Sequence, residues 1–110
     1  MGTPVSMQAP RTVRRFAVQG PMTIYEAVDH KRELLAALAA AAEGDTLELD
    51  LSDVDEMDTA GLQLLVLAAR EALKAGKTAV VVAHSEASQE VLDRYQMTAR
   101  FAGEPAAPPQ

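Results

Sequence analysis

The chain has 110 residues, of which 48% are hydrophobic and 24% charged, and 16 acidic against 10 basic side chains give a formal net charge of −6. This is the composition of one folded globular domain; it excludes disorder as the main state and argues against non-specific nucleic-acid binding. Because cysteine is absent, a disulfide scaffold, a thiolate metal site and a Cys nucleophile are excluded.

The ends of the chain and its apolar runs set the expected compartment. The longest apolar run, Leu34–Ala42, is far shorter than the roughly 20 residues of a membrane-spanning helix. The segment Met1–Pro10 lacks the apolar block of a signal peptide, so we expect a cytoplasmic domain without direct membrane insertion. Prolines and low apolar content predict flexible tails at residues 1–10 and 104–110, around a domain spanning residues 11–103.

The first half of the chain predicts a hairpin followed by a helix. Thr12–Gln19 is β-prone and ends at a Gly20-Pro21 turn, and Met22–Tyr25 is a second short strand. A helix is predicted over Ala27–Ala42, with Gly44 at its C-terminal end. Its inward positions are Val28, Leu34, Leu35, Leu38, Ala41 and Ala42.

The middle of the chain predicts a half-buried strand, an acidic loop and a second helix. Leucines alternate with acidic residues over Thr46–Ser52, which indicates one buried and one polar face. The loop Asp53–Asp58 follows, and then a helix from about Thr59 to Ala75, closed by Lys74 and Gly76. Its inward positions are Leu62, Leu65, Val66, Ala69, Ala72 and Leu73.

The last third predicts a central strand and a third helix. Thr78–Ala83 is apolar throughout, as in a strand covered on both faces. Ser85 is placed to cap a helix reaching about Tyr95, with Ala87, Val91, Leu92 and Tyr95 facing inward, and Thr98–Ala102 is expected as an edge strand. The order β-β-α-β-α-β-α-(β) predicts an α/β fold: a mixed sheet of four to five strands with about three helices packed against it.

One segment, residues 49–65, combines features of a functional site. Asp58 and Thr59 stand where a helix N-terminus needs a capping side chain, so one interpretation is that one of the two, Asp58 or Thr59, is only the cap. Gly61 in the first turn costs about 1 kcal/mol of helix propensity relative to Ala, which suggests close approach of another backbone or tight packing on the sheet. Leu64 and Leu67 belong either to a wide buried face or to a patch beside Thr59.

In this context the sequence resembles a STAS domain, the fold named for sulfate transporters and anti-sigma-factor antagonists. The resemblance rests on Leu49-Asp50-Leu51-Ser52, Val54 and Asp58-Thr59-Ala60-Gly61-Leu62, followed by Ala75-Gly76-Lys77 and the apolar strand Val80–Val82. It extends over roughly residues 12–102.

The resemblance implies a bacterial regulatory module in signal transduction and transcription regulation, rather than an enzyme, with no cofactor. In antagonists of this family, an anti-sigma factor that is also a serine-threonine kinase phosphorylates the hydroxyl residue that here is Thr59. The unphosphorylated protein binds that partner, and a PP2C-type phosphatase resets the switch. The implied partner-binding residues are Asp55, Asp58, Thr59, Ala60, Gly61, Gln63 and Leu64.

Some residues depart from the sporulation-type pattern. Thr59 replaces the commoner Ser, Ala60 follows it, and Gly20-Pro21-Met22-Thr23 stands where a Gly-Glu-Leu-Asp type segment is usual. The chain is also short after the third helix. These features resemble STAS proteins found beside chemotaxis genes and STAS subunits of lipid-transport ABC systems. In the latter the domain binds the ATPase subunit, and the Thr is mainly a contact.

Two further classes of site follow from side-chain chemistry. The carboxylates of the loop region (Asp50, Asp53, Asp55 and Asp58) could pair for acid–base work in a small hydrolase. His30 and His84 are far apart in sequence and would need carboxylates beside them to hold a metal, so surface or helix-end roles are expected. Arg11, Arg14 and Arg15 are expected on an exposed face of the first strand.

Overall fold

A computed structural model describes residues 12–102. The predicted tails, residues 1–10 and 104–110, lie outside the described residues. The elements in chain order are β1 (Val13–Ala17), α1 (Ala27–Ala40), β2 (Thr46–Leu51), α2 (Thr59–Lys74), β3 (Thr78–His84), α3 (Glu86–Arg94) and a 3-10 helix (Ala99–Phe101).

The sheet of the described chain has three strands in the order β1-β2-β3, all parallel. Val13 aligns with Thr46, and Thr46 aligns with Thr78 on its other side. The α/β class and the three helices are confirmed, but four to five strands in a mixed sheet are not found among residues 12–102.

The predicted N-terminal hairpin is wrong. Met22 makes only an isolated parallel bridge to Met57, and Thr23–Glu26 form a turn. The physical reason is that the Glu26 carboxylate accepts from both the Thr23 N–H and the Thr23 hydroxyl (3.0 and 2.6 Å), which closes the turn before α1. The local β-propensity of this segment is overridden by side-chain hydrogen bonding to the backbone.

The predicted C-terminal edge strand is also corrected. Ala99–Phe101 is a 3-10 helix, and the Phe101 side chain is buried. In this turn the aromatic ring is removed from water, which is a favourable contribution to the folded state.

Both crossovers place their helices on the same face of the sheet. Right-handed β1-α1-β2 and β2-α2-β3 connections that proceed in one direction put α1 and α2 side by side, and these helices contact each other. In β2, Leu47, Leu49 and Leu51 are buried under them, as the alternation predicted. The opposite face carries Glu48 and Asp50, which pair with Arg15 of the neighbouring strand.

Strand β3 is at the sheet edge rather than central. Its register to β2 shifts after Leu49, so that Val81 aligns with Leu49 but Ala83 aligns with Asp50. Val82 is the extra residue of this bulge and is 41% exposed. The expectation of a strand covered on both faces is therefore wrong.

The buried stripes of the helices differ from the predicted ones at particular positions. In α1 the buried side is formed by His30, Leu34 and Leu38, whereas Val28 is exposed. In α2 Leu64 and Ala68 are buried and Leu73 is exposed. Tyr95, which follows the last residue of α3 and was expected to face inward, is 47% exposed. Ser85 caps α3 as predicted: its hydroxyl accepts from the Ser88 N–H, and the Ser88 hydroxyl accepts from the Ser85 N–H.

The topology brings three connections to one edge of the sheet. Because the strands are parallel, the segments following β1, β2 and β3 all leave from the carboxyl ends of the strands. We call this end of the sheet, where all three strands finish, the carboxyl edge. It carries residues 18–26, 52–58 and 85. In the part of the chain described, no helix is long and apolar enough to cross a membrane.

Candidate functional site at the carboxyl edge

Asp58 is the N-cap of α2, and Thr59 is the first residue of that helix. The Asp58 Oδ1 accepts from the backbone N–H groups of Ala60 and Gly61 at 2.9 and 3.4 Å. Thr59 is exposed. The capping interpretation therefore holds for Asp58, and Thr59 is left free of that role, with its side chain accessible from solvent.

The connection between β1 and α1 lies against the acidic loop. The Ile24 N–H donates to the Asp58 Oδ2 at 3.1 Å, so that one carboxylate joins the cap of α2 to this turn. Backbone bonds from Met22 N to Glu56 O (2.8 Å) and from Asp58 N to Met22 O (3.3 Å) complete the seam. The surface around Thr59 is thus formed by two loops held in one fixed arrangement.

Gly61 is required by the close approach of this seam. A Cβ at position 61 would stand 2.6 Å from the Met22 carbonyl oxygen and 2.9 Å from the Met57 Cγ. Both distances are too short for ordinary packing. The expectation that a glycine here admits another backbone is confirmed, and that backbone belongs to the β1–α1 connection.

The acidic loop has one buried anchor and an exposed acidic side. Val54 is fully buried, whereas Asp53, Asp55 and Glu56 are exposed. A shallow depression of about 420 Å³ lies between this loop and the start of α3. Its lining is Ser52, Asp53, Val54, Asp55, Ser85, Glu86, Ala87 and Glu90, so its charged side chains are all acidic.

Two of the four carboxylates weighed for acid–base work are engaged in local structure. Asp50 accepts from the Ser52 hydroxyl (2.6 Å) and from the Ser52 N–H (2.9 Å), and these bonds hold the pKa of Asp50 below its ordinary value. Asp58 is committed to the α2 cap and to Ile24. Asp53 lies within 3.5 Å of the Gln19 amide, through its Oδ2.

The predicted partner-binding residues divide into exposed and buried ones. Asp55, Thr59 and Gln63 are exposed, and Asp58 and Ala60 are half-buried. Gly61 and Leu64 are buried and pack inside the domain. Leu64 is buried because α2 is covered by the sheet and by α1, which widens its inner face.

Sequence reasoning missed an apolar part of the same edge. Ile24 and Tyr25 follow Met22 in the turn, Val28 lies in the first turn of α1, and all three are exposed. The signal was present in the sequence: an apolar segment, Met22–Tyr25, that had no second strand to pair with once the hairpin was set aside.

The two histidines are embedded in the fold at separate places. The His30 Nε2 lies 2.7 Å from the Pro21 carbonyl oxygen and is buried, which ties α1 to the connection before it. His84 follows the bulge of β3; burial lowers its pKa below the ordinary value of 6.5, and the Asp93 carboxylate opposes part of that shift. Among residues 12–102, no three His, Asp or Glu side chains converge as metal ligands.

Comparison with known proteins agrees with this parallel α/β fold. A family model described as "Mlab, STAS domain" matches residues 5–101. The chain therefore belongs to the STAS domain family. A search of curated proteins found no significant match.

Two solved structures share the fold at low sequence identity. One is the anti-sigma factor antagonist SpoIIAA in its unphosphorylated form: TM-score 0.62, 15% identity, covering 90% of this chain and 84% of that one. The other is a sulfate transporter family protein from Wolinella succinogenes: TM-score 0.61, 18% identity, covering 82% of this chain and 71% of that one.

Proposed function

We propose that this domain is a non-enzymatic cytoplasmic protein–protein interaction module that acts like an anti-sigma-factor antagonist, with Thr59 as its reversible phosphorylation site. The observation that carries the proposal is the position of Thr59: exposed, first in α2, and free of the capping role that Asp58 fills. A kinase needs such an accessible hydroxyl. The implied partners are an anti-sigma factor with serine-threonine kinase activity and a PP2C-type phosphatase.

The electrostatics of the carboxyl edge support a binding switch rather than an unfolding switch. A phosphate would add about −1.5 to −2 charges at the N-terminus of α2, where the helix dipole favours negative charge. The same charge would be added to a surface that already carries Asp55 and Glu56. The fold would therefore persist, and a partner suited to the unmodified surface would be repelled.

A second candidate is a STAS subunit that binds the ATPase of a lipid-transport ABC complex without being phosphorylated. It is favoured by Thr, rather than Ser, at position 59. In this case Thr59 is a plain contact residue.

The test is an affinity capture from cells of the source organism with wild-type, Thr59→Glu and Thr78→Glu baits. Thr78 is an exposed threonine at the start of β3, the opposite edge of the sheet, so Thr78→Glu is a matched control for the added charge. Mass spectrometry identifies the captured proteins and any phosphate on Thr59.

A kinase-like partner that is lost only with Thr59→Glu, together with phosphate on Thr59, supports the switch. An ABC ATPase with unmodified Thr59 supports the second candidate. Capture that is equal for all three baits overturns both, because Thr59 would then lie outside the contact surface.

A further inference from the structure

Exposed apolar side chains are concentrated at one place on the carboxyl edge. Ile24, Tyr25 and Val28 are 67%, 90% and 71% exposed, and they lie within five consecutive positions. We call these three residues the apolar turn. Single exposed apolar residues are common on protein surfaces, but a contiguous group marks an interaction site.

The apolar turn is held rigidly by the body of the domain. The Ile24 N–H is fixed by the Asp58 carboxylate, and the Tyr25 N–H lies 3.2 Å from the Thr23 hydroxyl oxygen, which accepts its hydrogen bond. The His30 ring holds the Pro21 carbonyl on the preceding side. A segment that is already ordered loses little conformational entropy when a partner covers it, and an exposed tyrosine on such a segment is a typical interface anchor.

Where the apolar turn borders the acidic loop, Asp53–Asp58, the surrounding charge is negative. The acidic loop that is hydrogen-bonded to it presents Asp53, Asp55 and Glu56 to solvent. The sequence has no lysine or arginine between Arg32 and Arg70, so neither this loop nor the start of α2 supplies a compensating positive charge. On α1, Arg32 is paired with Asp29 at 3.2 Å, and Lys31, three positions after Val28, is exposed.

We propose that the apolar turn docks into an apolar depression on another protein, and that lysine or arginine side chains border this depression and face the acidic loop. Tyr25 is the anchor of the contact. This inference deepens the proposed function, since it assigns the surface chemistry of the partner that binds beside Thr59. A second copy of this chain is a poor occupant, because a two-fold contact would set Asp55 and Glu56 against their own equivalents between chains of net charge −6.

The first experiment places a photo-crosslinking phenylalanine analogue at Tyr25 of the full chain in growing cells of the source organism. The matched control carries the same analogue at Leu73, an exposed apolar position at the other end of α2. We expect an adduct with another protein from position 25 that exceeds the control, with the crosslinked peptide mapped beside lysine or arginine residues.

The second experiment purifies the partner that the crosslink identifies and measures its affinity for wild type, Tyr25→Ser, Val28→Ser, Leu73→Ser and Thr59→Glu. We expect at least about tenfold weaker binding for the first two variants and a change within about twofold for Leu73→Ser. Raising the salt concentration from about 50 to about 500 mM should weaken wild-type binding, because the charge attraction is screened.

The results separate this inference from the phosphorylation switch. If Thr59→Glu weakens binding and Tyr25→Ser does not, the apolar turn is not the anchor and the switch stands. If Tyr25→Ser weakens binding and Thr59→Glu does not, the anchor stands and the switch fails. An adduct with a second copy of this chain, an acidic mapped surface, or no adduct above the Leu73 control overturns the inference.

Discussion

Gly61 decides whether the two loops of the carboxyl edge can meet. The Met22 carbonyl occupies the space that a side chain would need. We expect Gly61→Ala to lower the free energy of unfolding by about 1–2 kcal/mol, because overpacking outweighs the gain of about 1 kcal/mol in helix propensity. Urea denaturation measures this. Gln63→Ala, at an exposed position of the same helix, should stay within about 0.5 kcal/mol of wild type; an equally stable Gly61→Ala would show that the contact is loose.

The Asp58 carboxylate accepts hydrogen bonds from two elements, α2 and the turn before α1, and mutations can measure what these bonds contribute to stability. Asp58→Ala removes the acceptors of the Ala60, Gly61 and Ile24 N–H groups and should cost about 1–3 kcal/mol in chemical denaturation. Asp58→Asn keeps one acceptor oxygen and should fall between Ala and wild type. Asp55→Ala, at an exposed residue of the same loop, is the control; equal losses for both alanine variants would contradict this account.

At the scale of single residues, local chemistry made the start of α2 predictable. A capping side chain followed by a glycine is a pattern read from neighbouring positions, and Asp58 and Gly61 confirmed it. The contact that explains Gly61 comes from Met22, 39 positions earlier in the chain. Only the tertiary structure could supply it, since no local pattern links the two residues.

At the scale of elements, substitutions in α2 can test which side of this helix is buried. Leu64 is 7% exposed and Leu73 is 69% exposed, although the sequence periodicity assigned Leu73 to the inner face. We expect Leu64→Ala to cost about 2–5 kcal/mol in urea denaturation, because it leaves a cavity. Leu73→Ala should change stability by no more than about 0.5 kcal/mol. The reverse order of effects would mean that the predicted stripe was right and the packing is rotated.

The errors in the predicted elements have a common physical cause. A helix with an unbroken apolar run, such as Leu64–Ala69 in α2, offers several adjacent apolar stripes, and only contact with both the sheet and α1 selects which stripe is buried. In the same way, Met22–Tyr25 has the composition of a strand, but the Glu26 carboxylate captures the Thr23 N–H and turns the chain. The alternating strand β2 was predictable because its polar and apolar residues leave a single choice of face.

At the scale of the molecule, the two ends of the parallel strands have different roles. The carboxyl edge carries the exposed residues that we propose for partner binding, held by the seam between its two loops. The opposite edge fastens the fold: the Lys77 ammonium donates to the Leu38 carbonyl at 2.6 Å, and Gly44 N–H to the Gly76 carbonyl at 2.8 Å. We therefore expect a negative charge added at Thr59 to leave the fold intact.

Asp45 lies immediately before β2, at the end of the sheet opposite the carboxyl edge, and it makes the free energy of unfolding depend on pH. Its buried carboxylate accepts from the Ala42 N–H (2.8 Å) and the Thr12 N–H (3.1 Å), and its Oδ2 lies 3.5 Å from the Arg14 Nε. These bonds, from Ala42 first and then Thr12, hold the pKa of Asp45 below its ordinary value of 3.8. The unfolded chain therefore takes up this proton at a higher pH than the folded domain does.

The Asp45 carboxylate therefore makes its full contribution to the stability of the folded domain above pH 3.8. This contribution is lost as the pH falls through the lower pKa of Asp45 in the folded state. We expect Asp45→Asn to be less stable than wild type at neutral pH and to lose less stability on acidification, as measured by urea denaturation between neutral pH and pH about 2.5. Asp53→Asn, at an exposed carboxylate of the carboxyl edge, should retain the wild-type profile. If Asp45→Asn and wild type decline in parallel, the acid sensitivity lies instead in Asp50, Asp93 or Glu26, whose pKa values are also held low by hydrogen bonds.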